Sequence, residues 1–393
     1  MALELLAQQY LPISPRHVSL LVNDGGSPAA VVAVSGAYDP KNRVFFLEWD
    51  DPMVAGSFRV THAPVPGRGV NGLSLVLSQD GVVHCVVQSF DLESGYENVS
   101  TYVLRRTETS DSSDSDECPC DENEEHGSAG GTAAVKYQCL PKPVEDDGRS
   151  WTAALRLCRH GSVSSGKRGR IAVACGGERG QPNALKTLCL TGTRVSVYQT
   201  MELPVLSMFP VLELREVDGD SSSLLALCHH AVLEMDLRLR QQDSVVRAWK
   251  WTPRDPLTAL AVKDNAIVAG TEEGVVVLWD LRLAAPRDRS APAVDHSAPH
   301  GAPTTGLHMP HSTNLLSCHA DGSILVWERE RQAGANIGEF SGTSNGDFCF
   351  RPRHVAALPP VYVGSPGCVA LAAEEHLSVI ADESGTVSIF ATL

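Results

Sequence analysis

Several short stretches of the sequence set reactive or ligating residue types at spacings that chemistry uses. Gly67, Gly69 and Gly72 in GRGVNG have the G-x-G-x-x-G spacing that lets backbone N–H groups approach a pyrophosphate. That use needs a strand before the glycines and a helix N-terminus after them. Here LSLVLSQDG follows, an alternating run with a turn, so the stretch reads as a loop between sheets. Ser344 stands between Gly342 and Gly346 in GTSNG, as in a nucleophile elbow, but the flanks GEFS and DFCF offer no following helix. Cys118, Cys120, His126 and Cys139 could chelate zinc, yet C-x-C in an acidic tract is not the paired C-x-x-C of a closed tetrahedral site. His229 and His230 fall between two strands and read as a surface pair in a hairpin turn. The expectation is a chain without catalytic residues, metal site, cofactor or small-molecule substrate.

Charge narrows the partners. The formal net charge is −15, which disfavours direct nucleic-acid binding, because phosphate contacts need a basic face. Residues 107–127 carry nine acids and no Lys or Arg; without them the balance is 38 acids to 32 bases, or −6. This tract cannot bury enough apolar surface to offset its ordering entropy, so 107–150 is expected to be a disordered acidic insertion. Within it Ser113, followed by Asp114 and Asp116, suits phosphorylation by an acidophilic kinase. The basic loop GKRGR (Lys167, Arg168, Arg170) is its nearest complement.

The remaining composition describes what must position these residues. Of the residues, 43% are apolar, while 33 Gly and 24 Pro are spread along the whole length, so turns are frequent and long helices scarce. The start MALELLAQQYLPIS has Glu4 within its apolar part and no basic residues ahead of it, unlike a secretory signal. No 18-residue apolar run is present, so no membrane insertion is expected. Eleven cysteines, mostly inside apolar runs, read as free thiols in a reducing compartment. A soluble intracellular protein of the cytoplasm or nucleus is the expectation.

Self-comparison reveals a repeat. VLEMDLRL (232–239) and VVLWDLRL (276–283) share Asp-Leu-Arg-Leu after an apolar run; DGSILVWER ends on Trp327 and Glu328, and ESGTVSIFATL places Phe390 where Trp stands elsewhere. Each unit has an apolar run, a short Gly-containing turn, a second apolar run and a closing aromatic or Met, as in NAIVAGTEEGVVVLWD. Two such runs make a β-hairpin, and a period of 40–48 residues suits four strands per unit.

On Trp279-Asp280 and its degenerate echoes Met235-Asp236, Trp327-Glu328 and Phe390-Ala391, the chain resembles the WD-repeat β-propeller family. The resemblance implies an all-β, seven-bladed propeller over residues 1–393. Weaker units are placed by the same grammar: Trp49 or Leu47 closes the first, GLSLVLSQDGVVHCVVQSF opens the second, AALRLC the third, and VSVYQT the fourth. Residues 331–350 read as a second insertion, the outer strand of blade six plus a loop. Leu393 follows a third strand with no fourth behind it, so the segment at 3–13 is expected to supply the missing strand and close the ring.

The resemblance also implies roles. A propeller without converging catalytic groups serves as a scaffold for proteins of a larger complex. The opening segment QQYLPISPRHVSLL … VSGAYDPKNRVFFLEW, with Gly36, Tyr38, Asp39 and Asn42 in its turn, resembles that of the small WD-repeat nucleoporins of the nuclear pore outer ring. Endosomal tethering complexes contain propellers that open similarly. The alternative reading of Trp279, Asp280 and Arg282 is adaptor docking, since W-D-x-R resembles the signature of substrate receptors of cullin ubiquitin ligases. The bland reading packs Trp279 between blades and turns the chain at Asp280.

Overall fold

The computed structural model describes residues 3–23, 28–36, 39–51, 58–78, 81–91, 98–108, 135–139, 149–157, 169–176, 182–203, 210–217, 220–239, 243–251, 254–281, 295–297, 301–331, 348–357, 367–374 and 376–392. They form seven four-stranded antiparallel sheets, the blades of a β-propeller. After β1 (Leu3–Tyr10), blade 1 comprises β2 (Pro15–Val22), β3 (Ala30–Gly36), β4 (Arg43–Trp49) and β5 (Phe58–Pro64). Blade 2 is β6 (Arg68–Leu77), β7 (Val83–Asp91), β8 (Asn98–Glu108) and β9 (Val135–Cys139). Blade 3 is β10 (Trp151–Arg156), β11 (Arg170–Cys175), β12 (Ala184–Thr191) and β13 (Arg194–Glu202). Blade 4 is β14 (Glu213–Val217), β15 (Asp220–Cys228), β16 (Ala231–Asp236) and β17 (Val245–Lys250). Blade 5 is β18 (Leu257–Lys263), β19 (Ala266–Thr271), β20 (Val275–Asp280) and β21 (Asp295–Ser297). Blade 6 is β22 (Thr304–His311), β23 (Asn314–His319), β24 (Ser323–Arg331) and β25 (Phe348–Ala357). Blade 7 has β26 (Cys368–Glu374), β27 (Leu377–Asp382) and β28 (Thr386–Thr392), and takes β1 as its outer strand.

That last pairing closes the ring. β1 runs antiparallel to β28, with Leu3 opposite Thr392 and Tyr10 opposite Thr386. The first strand of each blade lies innermost, and β26 packs beside β2, so seven inner strands surround a channel. The middle strands are covered on both faces by neighbouring blades, which is why runs such as AVVAVSG in β3 and LSVIAD in β27 are buried at every position. Trp249, Trp279 and Trp327 are the largest of the fully or nearly fully buried side chains between blades. Each removes apolar surface worth roughly 2–3 kcal/mol from water.

A regular defect repeats around the channel. Six of the seven inner strands skip a residue near their start, at Arg16, Asn71, Thr152, Thr258, Thr305 and Val369, and β6 skips a second, Gly69. At each bulge two residues of the inner strand oppose one of its neighbour, and the extra residue is left out of the ladder. In two blades the bulged threonine reaches the neighbouring strand, Thr152 Oγ1 donating to the Ala174 carbonyl at 3.4 Å and Thr305 Oγ1 to that of Cys318 at 3.2 Å; in blade 5 Thr258 Oγ1 lies 3.3 Å from the Gly270 carbonyl but 2.6 Å from that of Thr304 in blade 6, which takes its one proton.

The structure corrects some boundaries. VSVYQT, expected to open the fourth unit, lies in β13, the outer strand of blade 3. β13 ends without an aromatic, so nothing in the sequence separates it from the next inner strand. Within the 107–150 segment, residues 107–108 end β8 and Val135–Cys139 form β9. Tyr137 anchors β9 by stacking on Phe46 of blade 1, with ring centroids 3.7 Å apart and planes 9° from parallel. The G-x-G-x-x-G stretch is only partly loop: Gly67, at φ +91°, lies between blades, but Gly69 and Gly72 belong to β6.

Candidate functional site

The channel holds a cavity of about 250 Å³ lined by inner strands of blades 1, 2, 3, 4 and 7. Its wall carries three arginines, Arg16, Arg156 and Arg215, against two glutamates, Glu213 and Glu374. Arg156 at the end of β10 pairs with Glu374 at the end of β26, and Glu374 Oε2 accepts the Val22 backbone N–H at 2.9 Å. These three residues all end inner strands, so they cross-brace one end of the channel. Glu213 and Arg215 form a second pair within β14. Glu213 Oε2 accepts the Leu260 N–H at 2.7 Å, while Arg215 donates to the carbonyls of Leu260 at 3.0 Å and Leu307 at 3.2 Å. This pair thereby clamps the inner strands of blades 5 and 6 to blade 4.

The opposite end of the cavity is where inner strands begin, at Arg16, His17, Asn71 and Thr152. Both glutamates are taken by arginines, which leaves Arg16 as the surplus cation of the wall; it is exposed and makes no bond or ion pair among the described residues. His17 has its pKa lowered to about 4, first by burial, then by the Arg16 charge, against a backbone hydrogen bond to Val70. It is therefore neutral at physiological pH. Asn71 Nδ2 is buried and has no hydrogen-bond partner among the described residues.

The rim is the second candidate surface. In β13 the register slips between Thr187 and Leu188, and Tyr198 is the residue left out. The slip turns Ser196, Val197 and Tyr198 outward in succession, where a regular strand hides every second side chain. Tyr198 is 62% exposed, with the Arg170 guanidinium 4.6 Å from its ring centre. Tyr10 on β1 and Val246 on β17 are likewise exposed on outer strands.

The residues singled out in the sequence scatter widely. Trp279 is buried between blades 4 and 5, edge-on to Trp251 at 6.4 Å, and Asp280 is half-buried at the end of β20. Arg282, Ser113, Ser344, Cys118, Cys120 and His126 lie outside the described residues. Cys139 is half-buried at the end of β9, and burial pushes its thiol up to about 11. Cys85, Cys139, Cys175, Cys189, Cys228, Cys318 and Cys368 are free thiols, and among the described residues no group of three or more His, Cys, Asp or Glu is placed to hold a metal ion. His229 and His230 do occupy the turn between β15 and β16; their carbonyls receive the N–H groups of Leu257 and Trp251, tying blade 4 to blade 5. Asp39 and Asn42 prove structural: Asp39 accepts the Arg43 N–H at 2.7 Å, and Asn42, at φ +44°, donates to the Val65 carbonyl at 2.8 Å. Among the described residues no helix is long and apolar enough to cross a membrane.

A polar network in blade 6 went unrecognised in the sequence. Trp327 Nε1 donates to Ser317 Oγ at 2.8 Å, and Ser317 Oγ lies 2.8 Å from His319 Nε2. His319 Nδ1 faces the Ala302 carbonyl at 3.2 Å, which can only accept, so Nδ1 carries the proton and Nε2 receives the Ser317 hydroxyl.

No protein-family model matches the chain, and no curated protein matches it in sequence. Among solved structures 1118 chains match. One is Raptor from Chaetomium thermophilum, with a TM-score of 0.58 and 13% identity over 99% of this chain and 28% of that one. The chain thus spans little more than a quarter of Raptor's length, and at this identity the likeness establishes the fold alone.

Proposed function

We propose that this chain is a non-catalytic scaffold, a closed disc whose rim and faces hold protein partners of a larger complex. The observation that carries this reading is the bulged outer strand β13, which presents Val197 and a mostly exposed Tyr198 side by side. Tyrosine gives a large, amphipathic contact surface at low entropic cost, and it is enriched where proteins meet. The narrower proposal, a place in the outer ring of the nuclear pore, rests on the resemblance of the opening segment; a role in endosomal tethering is its nearest alternative. The cullin-receptor reading is less favoured, because Trp279 is sealed between blades and offers an adaptor nothing to touch.

Affinity purification of the tagged full-length protein from its own cells, at moderate salt and with quantitative mass spectrometry, tests these readings. Outer-ring pore subunits in near-equal amounts support the pore assignment. A cullin adaptor that disappears with Arg282→Ala supports the receptor instead. The absence of any stoichiometric partner overturns the scaffold reading. Tyr198→Ala is expected to weaken capture of the principal partner while leaving the fold intact.

A further inference from the structure

The bulge position compares each blade with its siblings. In blades 3, 5 and 6 the bulged residue is threonine, its hydroxyl donates to a backbone carbonyl, and the position is explained by the fold. Blades 1 and 2, neighbours in the ring, replace that threonine with Arg16 and Asn71. Neither side chain makes a hydrogen bond or ion pair among the described residues, and the Asn71 amide nitrogen is buried without an acceptor. A buried, unpaired donor is costly, and a threonine here would have avoided it. Both residues line the cavity, at the end opposite the Arg156–Glu374 brace. Since the other two lining arginines are neutralised by glutamates, the mouth has a surplus positive charge in a chain of net −15.

We infer that the channel mouth at blades 1 and 2 binds a small-molecule oxyanion, a carboxylate or phosphate, held by the Arg16 guanidinium and the Asn71 amide. Guanidinium and amide N–H groups are donors matched to oxyanion lone pairs, and a charge-assisted bond is roughly twice as strong as a neutral one. A turn of the Asn71 side chain towards the channel gives its stranded N–H groups an acceptor. The neutral His17 beside them adds no competing charge. The cavity of about 250 Å³ sets the size: a small organic acid or phosphate fits, a protein domain does not. This is a ligand site and not a reaction centre, and it stands independently of the scaffold reading.

The test is calorimetric titration of the full-length protein at low ionic strength with citrate, with inorganic phosphate and with neutral glucose. The expected result is saturable one-to-one binding of citrate or phosphate, none of glucose, and at least tenfold weaker binding by Arg16→Thr/Asn71→Thr. That double variant installs the residue other blades use at the bulge, so it should keep the parent melting temperature within a few degrees. Which anion binds more tightly assigns the carboxylate or the phosphate source. If neither anion binds, or the double variant binds equally well, the site is refuted. Should the double variant fold poorly, Arg16→Gln, on an exposed side chain, carries the same expectation, and unchanged affinity in it refutes the site equally.

Discussion

Arg156, the last residue of β10, reaches across the channel to the carboxylate of Glu374, the last residue of β26, so blade 3 is tied to blade 7 past blades 1 and 2. The side chains are 12% and 6% exposed, and Glu374 also receives the Val22 N–H. Removing one member of a buried pair strands the other charge, a loss of about 3–5 kcal/mol. Arg156→Met should therefore destabilise the protein by about that amount in urea unfolding, and Arg156→Met/Glu374→Leu by less than the sum of the single changes. Additive losses would show that the two residues do not act as a pair.

The blade 6 network makes a second prediction. Ser317 is fully buried between the Trp327 indole and the His319 ring, accepting from one and donating to the other. Ser317→Ala removes both of these bonds from a fully buried site and should cost about 1–3 kcal/mol. Trp279 Nε1 has no hydrogen-bond partner among the described residues, so Trp279→Phe is expected to remove indole volume alone. Thermal unfolding of both variants, with the indole fluorescence of Trp327 followed in Ser317→Ala, checks the contrast.

Closure of the ring depends on one turn. The Leu11 N–H donates to the Gly385 carbonyl at 2.8 Å, and Gly385 adopts φ +95°. A Cβ there would lie 2.3 Å from the Leu11 carbonyl oxygen and 2.6 Å from that of Ile13. Gly385→Ala thus combines an unfavourable backbone conformation with a steric overlap, for a loss of about 3 kcal/mol. The amides shared by β1 and β28 should then exchange with solvent faster than those of blades 3 to 5.

What was legible in the sequence followed the strength of the local signal. Most second and third strands carry an apolar run, and Trp49, Trp279, Trp327 and Phe390 stand in the third strands. The closing role of the N-terminal segment followed from a last unit one strand short. β9 escaped because five residues, V-K-Y-Q-C, sit beside a polar tract; their alternation is visible only once Tyr137 is known to meet Phe46. The channel was illegible for a different reason. Arg156 and Glu374 are 218 residues apart, and each reads as a lone charge in an apolar strand until the ring brings the strand ends together. The bulges were equally hidden, since a skipped residue changes register and not composition.

His17 supplies the pH dependence. In the folded protein its pKa is about 4, while in the unfolded chain it returns to about 6.5, so over that interval the unfolded state binds the extra proton. The sign follows: the stabilising effect of keeping His17 neutral is complete above pH 6.5, declines as the pH falls from 6.5 to about 4, and is gone below that. A difference of this size is worth about 3 kcal/mol. Carboxylates also contribute to acid unfolding, so the measurement is a comparison: urea midpoints at pH 7 and pH 4.5 for the parent and for His17→Gln. The parent should lose more stability than the variant over that step, by about 2–3 kcal/mol. Because Arg16 contributes to the depression, Arg16→Thr should raise the His17 midpoint, read from its ring resonances, and shrink the difference. An unmoved midpoint would mean that burial alone keeps the ring neutral and that the Arg16 charge does not reach it.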